Sequence, residues 1–283
     1  MRKECYYCHS KTKDKLIEKF DFCGDKLDKF SKNVDSFLQH YWHLENPLIS
    51  MHIQRMAKEI LHIDDLYKSE KHFANSMLMA TYSKWEETIS SSDNPFHTAL
   101  KLAVIGNIID YGAHVVPESI ADFIESQLLL PLAVDDAEQL RFLINDAQSV
   151  LYLGDNSGEI VFDKLFIETM NHTNVTFAVR ELPVINDVTR AEAAYVGMDS
   201  VCRVISNGYD APSTLLDYCS DDFKSVFNKA DLIISKGQGN FEGLMNTDKK
   251  NICFMLMAKC EPIAEMLGVE KGSMVVKLKQ QKR

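Results

Sequence analysis

Apolar residues in the first half of the chain recur at three- and four-residue intervals. Leu27, Phe30, Val34 and Phe37 form one such stripe, with Lys26, Lys29 and Asp35 on other faces, and the spacing predicts an amphipathic helix. Asn46-Pro47 has the form of a helix start, and Ile49, Ile53, Met56 and Ile60 carry its apolar side. Phe73, Met77, Thr81 and Trp85 mark a further helical stretch. Pro95 punctuates the chain before 100–111, LKLAVIGNIIDY, which predicts a mostly buried helix, and 118–129 and 135–143 predict two more. Asn107 and Asp110 are polar positions three apart in apolar company. They are candidates to point together into a pocket, although an internal hydrogen bond or one polar helix face explains them as well.

From Ser149 the period changes. Short β-rich runs near 150–153, 175–179, 201–205, 232–235, 252–257 and 273–277 alternate with helical or looping pieces. That recurrence predicts a largely parallel sheet with helices on its faces. The expected division is a mainly helical region over 1–146 and an α/β domain over 147–283, sharing a tight interface because no long linker separates them.

Three strand exits carry the polar residues. In LYLGDNSGEIVFD, an apolar run stops at Gly154, Asp155 and Asn156, and a helix restarts at Gly158 and Glu159. A turn there places free amides at a helix N-terminus, open to an anion, and its carboxylate and amide suit a hard metal. Taken alone, an Asp-Asn pair in a turn is more often a capping device. The second exit, Arg180-Glu-Leu-Pro-Val-Ile-Asn-Asp187, repeats the pairing of Asp with Asn. In a doubly wound sheet such exits meet at one edge, so Asp155, Asn156 and Asp187 are expected around one Mg²⁺-like ion. The third, Ser235-Lys236-Gly237-Gln238-Gly239, adds a cation and a flexible backbone suited to phosphate, without the spacing of a nucleotide P-loop or of GxGxxG.

Composition narrows this picture a little. A formal net charge of −10 argues against a general nucleic-acid coat but not against a small phosphorylated ligand held in a local pocket. No signal core and no run of membrane-spanning length are evident, so a cytoplasmic protein with no membrane partner is expected. Seven dispersed cysteines are expected to be mostly reduced. Cys5 and Cys8 supply at most half of a zinc site, which His9, Cys23 or Cys260 would have to complete; packed reduced thiols fit the motif equally well.

The segments GDNSGEIVFD, RELPVINDVT and DLIISKGQGNFEGL, with GNIID at 106–110 and AKCEPIAEMLGVEKGS at 258–273, resemble those of the DUF89 family of metal-dependent damage-control phosphatases, in its short microbial branch. With the early CxxC the resemblance spans nearly the whole chain. It implies a helical region followed by a Rossmann-like three-layer α/β domain with a largely parallel sheet. It also implies a divalent cation (Mg, Mn, Co or Ni) in the cleft and small phosphorylated metabolites as substrates. By motif, Asp155, Asn156 and Asp187 are similar to the metal-contacting residues and Lys236 to a phosphate anchor. Asn107, Asp110, Glu159, Arg180, Gly237 and Gly239 become expected pocket members, while Ser157 stands where alanine is more familiar. A sugar or nucleotide-sugar transferase, or a binding protein for phosphorylated metabolites without turnover, are the competing expectations.

Overall fold

The structure, a computed structural model, describes residues 2–107 and 120–279. Helix α1 (Lys3–Lys19) precedes the first apolar stripe, which forms α2 (Gly24–Tyr41), and Asn46-Pro47 opens α3 (Asn46–Leu61). Leu16, Phe30, Val34, Leu38, Ile49, Ile53 and Ala57 close one core among these helices. The next stripe is cut in two, α4 (Lys68–Ala80) and α5 (Tyr82–Ser90), because Thr81 leaves helical dihedrals (φ −110°, ψ 13°). Its hydroxyl donates to Leu78 O and accepts from Trp85 Nε1, both at 3.1 Å. Trp85 is fully buried while Phe73 is 56 % exposed, so the expected stripe does not continue across the break.

Helix α6 (Pro95–Gly106) starts earlier than its apolar run, since Pro95 fits the first turn and Asn94 Oδ1 accepts the His97 amide at 3.2 Å. Asp110, with the rest of the expected helix from 108 onward, lies outside the described residues. Helices α7 (Ile120–Leu128) and α8 (Ala137–Asp146) follow.

Among the described residues seven strands make one sheet: β1 (Val134–Asp135), β2 (Val150–Leu153), β3 (Val175–Val179), β4 (Arg203–Ser206), β5 (Leu232–Lys236), β6 (Ile252–Met257) and β7 (Met274–Leu278). Their order is β1-β7-β6-β5-β2-β3-β4, and every pair is parallel except β6 with β7. Between strands run α9 (Glu159–Met170), α10 (Arg190–Tyr195), α11 (Asp221–Lys229), α12 (Gly237–Leu244) and α13 (Glu261–Leu267).

Alternation along the central strands divides the core. Tyr152, Phe177, Ile234 and Met255 pack with Val104, Phe162 and Phe166 of α6 and α9. Leu151, Leu153, Ile233 and Phe254 pack instead with Phe223, Phe227 and Leu244 of α11 and α12. Helices therefore cover both faces, as the continuous burial of β2, β3 and β5 requires, and the fold is a Rossmann-like α/β sandwich preceded by helices. From β2 the chain winds outward to β3 and β4, then crosses to β5 and winds the other way. The crevice between the carboxyl ends of β2 and β5 is thus the topological switch point, where open α/β sheets bind ligands. Among the described residues no helix is long and apolar enough to cross a membrane, and all seven cysteines are free thiols.

Candidate active site

At the end of β2, Gly154 leaves no room for a side chain, since a Cβ there would lie 2.5 Å from the Phe177 ring. The chain turns, and the loops after β2 and β3 are laced by their backbones. Val188 N donates to Asp155 O at 2.9 Å, Ser157 N to Asn186 O at 2.8 Å, and Arg180 N to Val188 O at 2.9 Å. Asn156 and Asp187 pair as an isolated antiparallel bridge. Two exits separate in sequence are thereby joined, and Asp155, Asn156 and Asp187 come together.

Their side chains are buried and held from several elements. Asp155 Oδ2 accepts from Asn107 Nδ2 at 3.0 Å and Asn156 Nδ2 at 2.7 Å. Asn107, at the C-terminus of α6, also donates to Glu159 Oε2 at 3.0 Å, so the helical half reaches the carboxylates directly. Glu159 Oε2 accepts in addition from Asn156 Nδ2 at 3.2 Å and Asn156 N at 3.3 Å. Arg180 lies between the acids, with Nε 2.8 Å from Asp187 Oδ2 and Nη2 3.6 Å from Asp155 Oδ1.

Lys236 is fully buried and turns away beneath this group. Its Nζ donates to Ala103 O at 2.8 Å, to Asp163 Oδ1 at 2.6 Å and, in a short contact, to Glu159 Oε1. The next residue, Gly237, has φ +76°, and a Cβ there would fall 1.9 Å from Asp155 Oδ2. A Cβ on Gly239 would meet Pro212 O at 2.1 Å, so this glycine seats α12 against the loop after β4.

Several contributors escape a reading of motifs. Asn240 Nδ2 donates to the terminal carbonyls of both switch-point strands, Gly154 O at 3.1 Å and Lys236 O at 2.8 Å. Its Oδ1 accepts from Arg180 Nη2 at 3.1 Å and Thr214 Oγ1 at 2.9 Å. A polar residue one helical turn after Lys236 is the only trace of this role in the sequence. Asn75 of α4 accepts the Gly158 amide at 2.6 Å, which nothing local in its own segment signals. Half-buried Lys259, after β6, is close enough for its charge to favour ionisation of Asp155.

Among the described residues four buried carboxylates, Asp155, Glu159, Asp163 and Asp187, lie with two buried cations, Arg180 and Lys236, and with half-buried Lys259 near Asp155, so the acids outnumber the cations. Burial, then Asp187 and Glu159, push the Asp155 carboxyl well above its ordinary range, against the opposing pull of Arg180 and Lys259. Burial likewise raises Asp163 to about 7, with Lys236 opposing and Glu159 adding to the rise. Among the described residues no three His, Cys, Asp or Glu side chains are grouped so as to hold an ion by themselves. The expected ligand set is two carboxylates and an amide, all oxygen donors, and both its chemistry and the charge deficit fit a hard divalent cation.

A family model for the damage-control phosphatase ARMT1-like domain matches residues 1–275. The chain is 34% identical over 239 residues to a damage-control phosphatase of Archaeoglobus fulgidus, covering 82% of each. It is 39% identical over 183 residues to one of Pyrococcus horikoshii, covering 64% of each. The crystal structure of a DUF89 family protein of Pyrococcus horikoshii matches the fold with a TM-score of 0.87 at 30% identity, over 99% of both chains. Motifs, switch-point geometry and near full-length similarity agree, and the chain belongs to the DUF89 family of ARMT1-like damage-control phosphatases.

Proposed function

We propose that the protein is a divalent-metal-dependent phosphatase acting on small phosphate monoesters, with sugar phosphates or damaged phosphometabolites as its substrate class. The observation that carries this reading is the excess of buried carboxylate over buried cation at the switch point. Burying more acids than cations is costly, whether the acids stay charged or take up protons, and a structural core has no use for it. The printed descriptions of the relatives as damage-control phosphatases support the same conclusion.

Asp155, Asn156 and Asp187 would hold the ion, whether Mg, Mn, Co or Ni, and when bound it supplies Lewis-acid polarisation of the phosphoryl oxygens. Asn107 and Asn156 fix Asp155 through Oδ2, and Arg180 fixes Asp187. Gly237 and Gly239 allow the N-terminus of α12 to approach an anion with its amides. Lys259 adds positive charge near Asp155, while Lys236 contributes as a fixed charge beneath the cluster. In hydrolysis a bond forms between phosphorus and a water oxygen, the ester bond to phosphorus breaks, and the proton released by water ends on the leaving alkoxide.

The test is release of inorganic phosphate from p-nitrophenyl phosphate and from a panel of sugar phosphates. Activity should vanish in chelator and return with Mn²⁺ or Mg²⁺. Asp155→Asn and Asp187→Asn, each shown folded by circular dichroism, should lose about 1000-fold; wild-type turnover in both would sink the assignment.

A further inference from the structure

In the reading above Asp163 counts only as one of the buried acids, yet it is fully buried one turn beyond Glu159 on α9. Like charges four apart on a helix repel, and here both reach the same ammonium group. From β2, the Tyr152 hydroxyl donates to Asp163 Oδ1 at 2.6 Å, and the Tyr152 ring is stacked on Phe177 at 5.4 Å between centroids. With Ala103 O as its third acceptor, Lys236 spends all of its donors and is held in one place.

What Lys236 fixes is Glu159, and what Glu159 fixes is the amide pair that holds Asp155. The Asn107 and Asn156 amides each bond to both Glu159 Oε2 and Asp155 Oδ2. A continuous path therefore leads from Tyr152 through Asp163, Lys236 and Glu159 to Asp155. Among the described residues Asp163 Oδ2, meanwhile, is buried without a hydrogen-bond partner, which makes the acid costly to keep at this position. Glu159 accepts from the ammonium through Oε1 and from both amides through Oε2, so its carboxylate is fixed at each oxygen.

We propose that Asp163 is a positioning residue for the carboxylate cluster: by sharing Lys236 with Glu159 it holds Glu159, and through Asn107 and Asn156 it holds Asp155 ready to bind the ion. This rests on the metal-dependent reading given above.

The experiment measures Mn²⁺ binding to the full chain by calorimetry, and separately kcat and KM for p-nitrophenyl phosphate. The proteins compared are wild type, Asp163→Asn, Glu159→Gln, the double variant and Tyr152→Phe. Asp163→Asn should weaken Mn²⁺ binding by about 10- to 100-fold and lower kcat, as loss of an outer partner of a metal ligand does, while KM moves less than about threefold. Because Asp163 acts through Glu159, the double variant should lose much less than the product of the single losses. Tyr152→Phe, which removes only a hydroxyl, should weaken Mn²⁺ binding by about threefold, and it carries the test if Asp163→Asn does not fold. Wild-type Mn²⁺ affinity in Asp163→Asn or, failing that, in Tyr152→Phe overturns the proposal, as does a double variant whose losses multiply in full. A wild-type protein that binds Mn²⁺ but releases no phosphate overturns the phosphatase reading and leaves the positioning result standing.

Discussion

The two ends of the sheet carry similar residues and use them in opposite ways. At the amino end of β2 and β5, a shallow cavity of about 730 Å³ is lined by Asp146, Asp231 and Asp248 together with Lys229, Lys249 and Lys250. Asp231 is exposed and accepts from Ser149 Oγ at 2.8 Å, while Lys249 Nζ donates to the carbonyls of Asn228 and Ala230 at 2.9 and 2.7 Å. The acids there are matched in number by lysines, and most of the group is washed by solvent. At the carboxyl end, acids are buried and outnumber the buried cations. An open volume is thus a poor guide to chemistry in this molecule. A buried charge imbalance at the mouths of helices is a better one.

Gly237→Ala is the most severe way to disturb the carboxyl end without touching a charge. The new methyl would have to displace the Asp155 carboxylate and occupy a left-handed backbone position, at a cost of about 1–2 kcal/mol for the backbone alone. Phosphate release should fall by about 100-fold, as expected for a reacting group moved by about 1 Å. An alanine variant with full activity would show that the α12 glycine does not shape the site.

A middling effect is expected in the pH dependence of stability without metal. The Asp163 carboxyl is raised to about 7 in the folded chain, so between its ordinary value and that point the folded state binds more protons than the unfolded one. Stability should therefore fall as pH rises through this window, and Asp163→Asn should flatten the slope. Thermal unfolding in chelator from pH 4 to 8 measures it; parallel curves for the two proteins would contradict the burial of an acid at this position.

At the amino end, Asp231→Ala should do least. It removes two hydrogen bonds from an exposed side chain, so stability should change by no more than about 0.5–1 kcal/mol and turnover by less than about twofold. A large loss of activity would abolish the contrast between the two ends.

Much of this contrast is legible in the chain itself. Apolar runs that halt at a turn or charged residue announce strand exits, and β2, β3 and β6 lie where their patterns place them. Asp155 and Asp187 could be paired in advance because parallel winding brings successive exits to one edge. The direction of Lys236 is harder to read, since a lysine before glycines suggests an open loop. Yet it shares parity with Ile234 on β5, and that face looks toward α6 and α9, which is why the side chain runs inward to Glu159 and Asp163. β1 gives no signal because two residues carry no alternation. Asn75 bonds to distant backbone at Gly158, and Asn240 reaches Gly154 and Arg180 beyond its local bond to Lys236 O; no local period encodes those distant contacts.

The outer strands of the sheet carry a consequence for how molecules of this protein meet one another. On one side β1 offers only two residues, and Asp136 Oδ2 takes up the Leu278 amide at 2.8 Å. On the other, the four-residue β4 has its Val204 carbonyl engaged by Arg190 Nη1 at 3.2 Å. Short, charged and partly occupied borders of this kind resist the addition of a further strand. Copies of the chain are thereby discouraged from joining sheet to sheet.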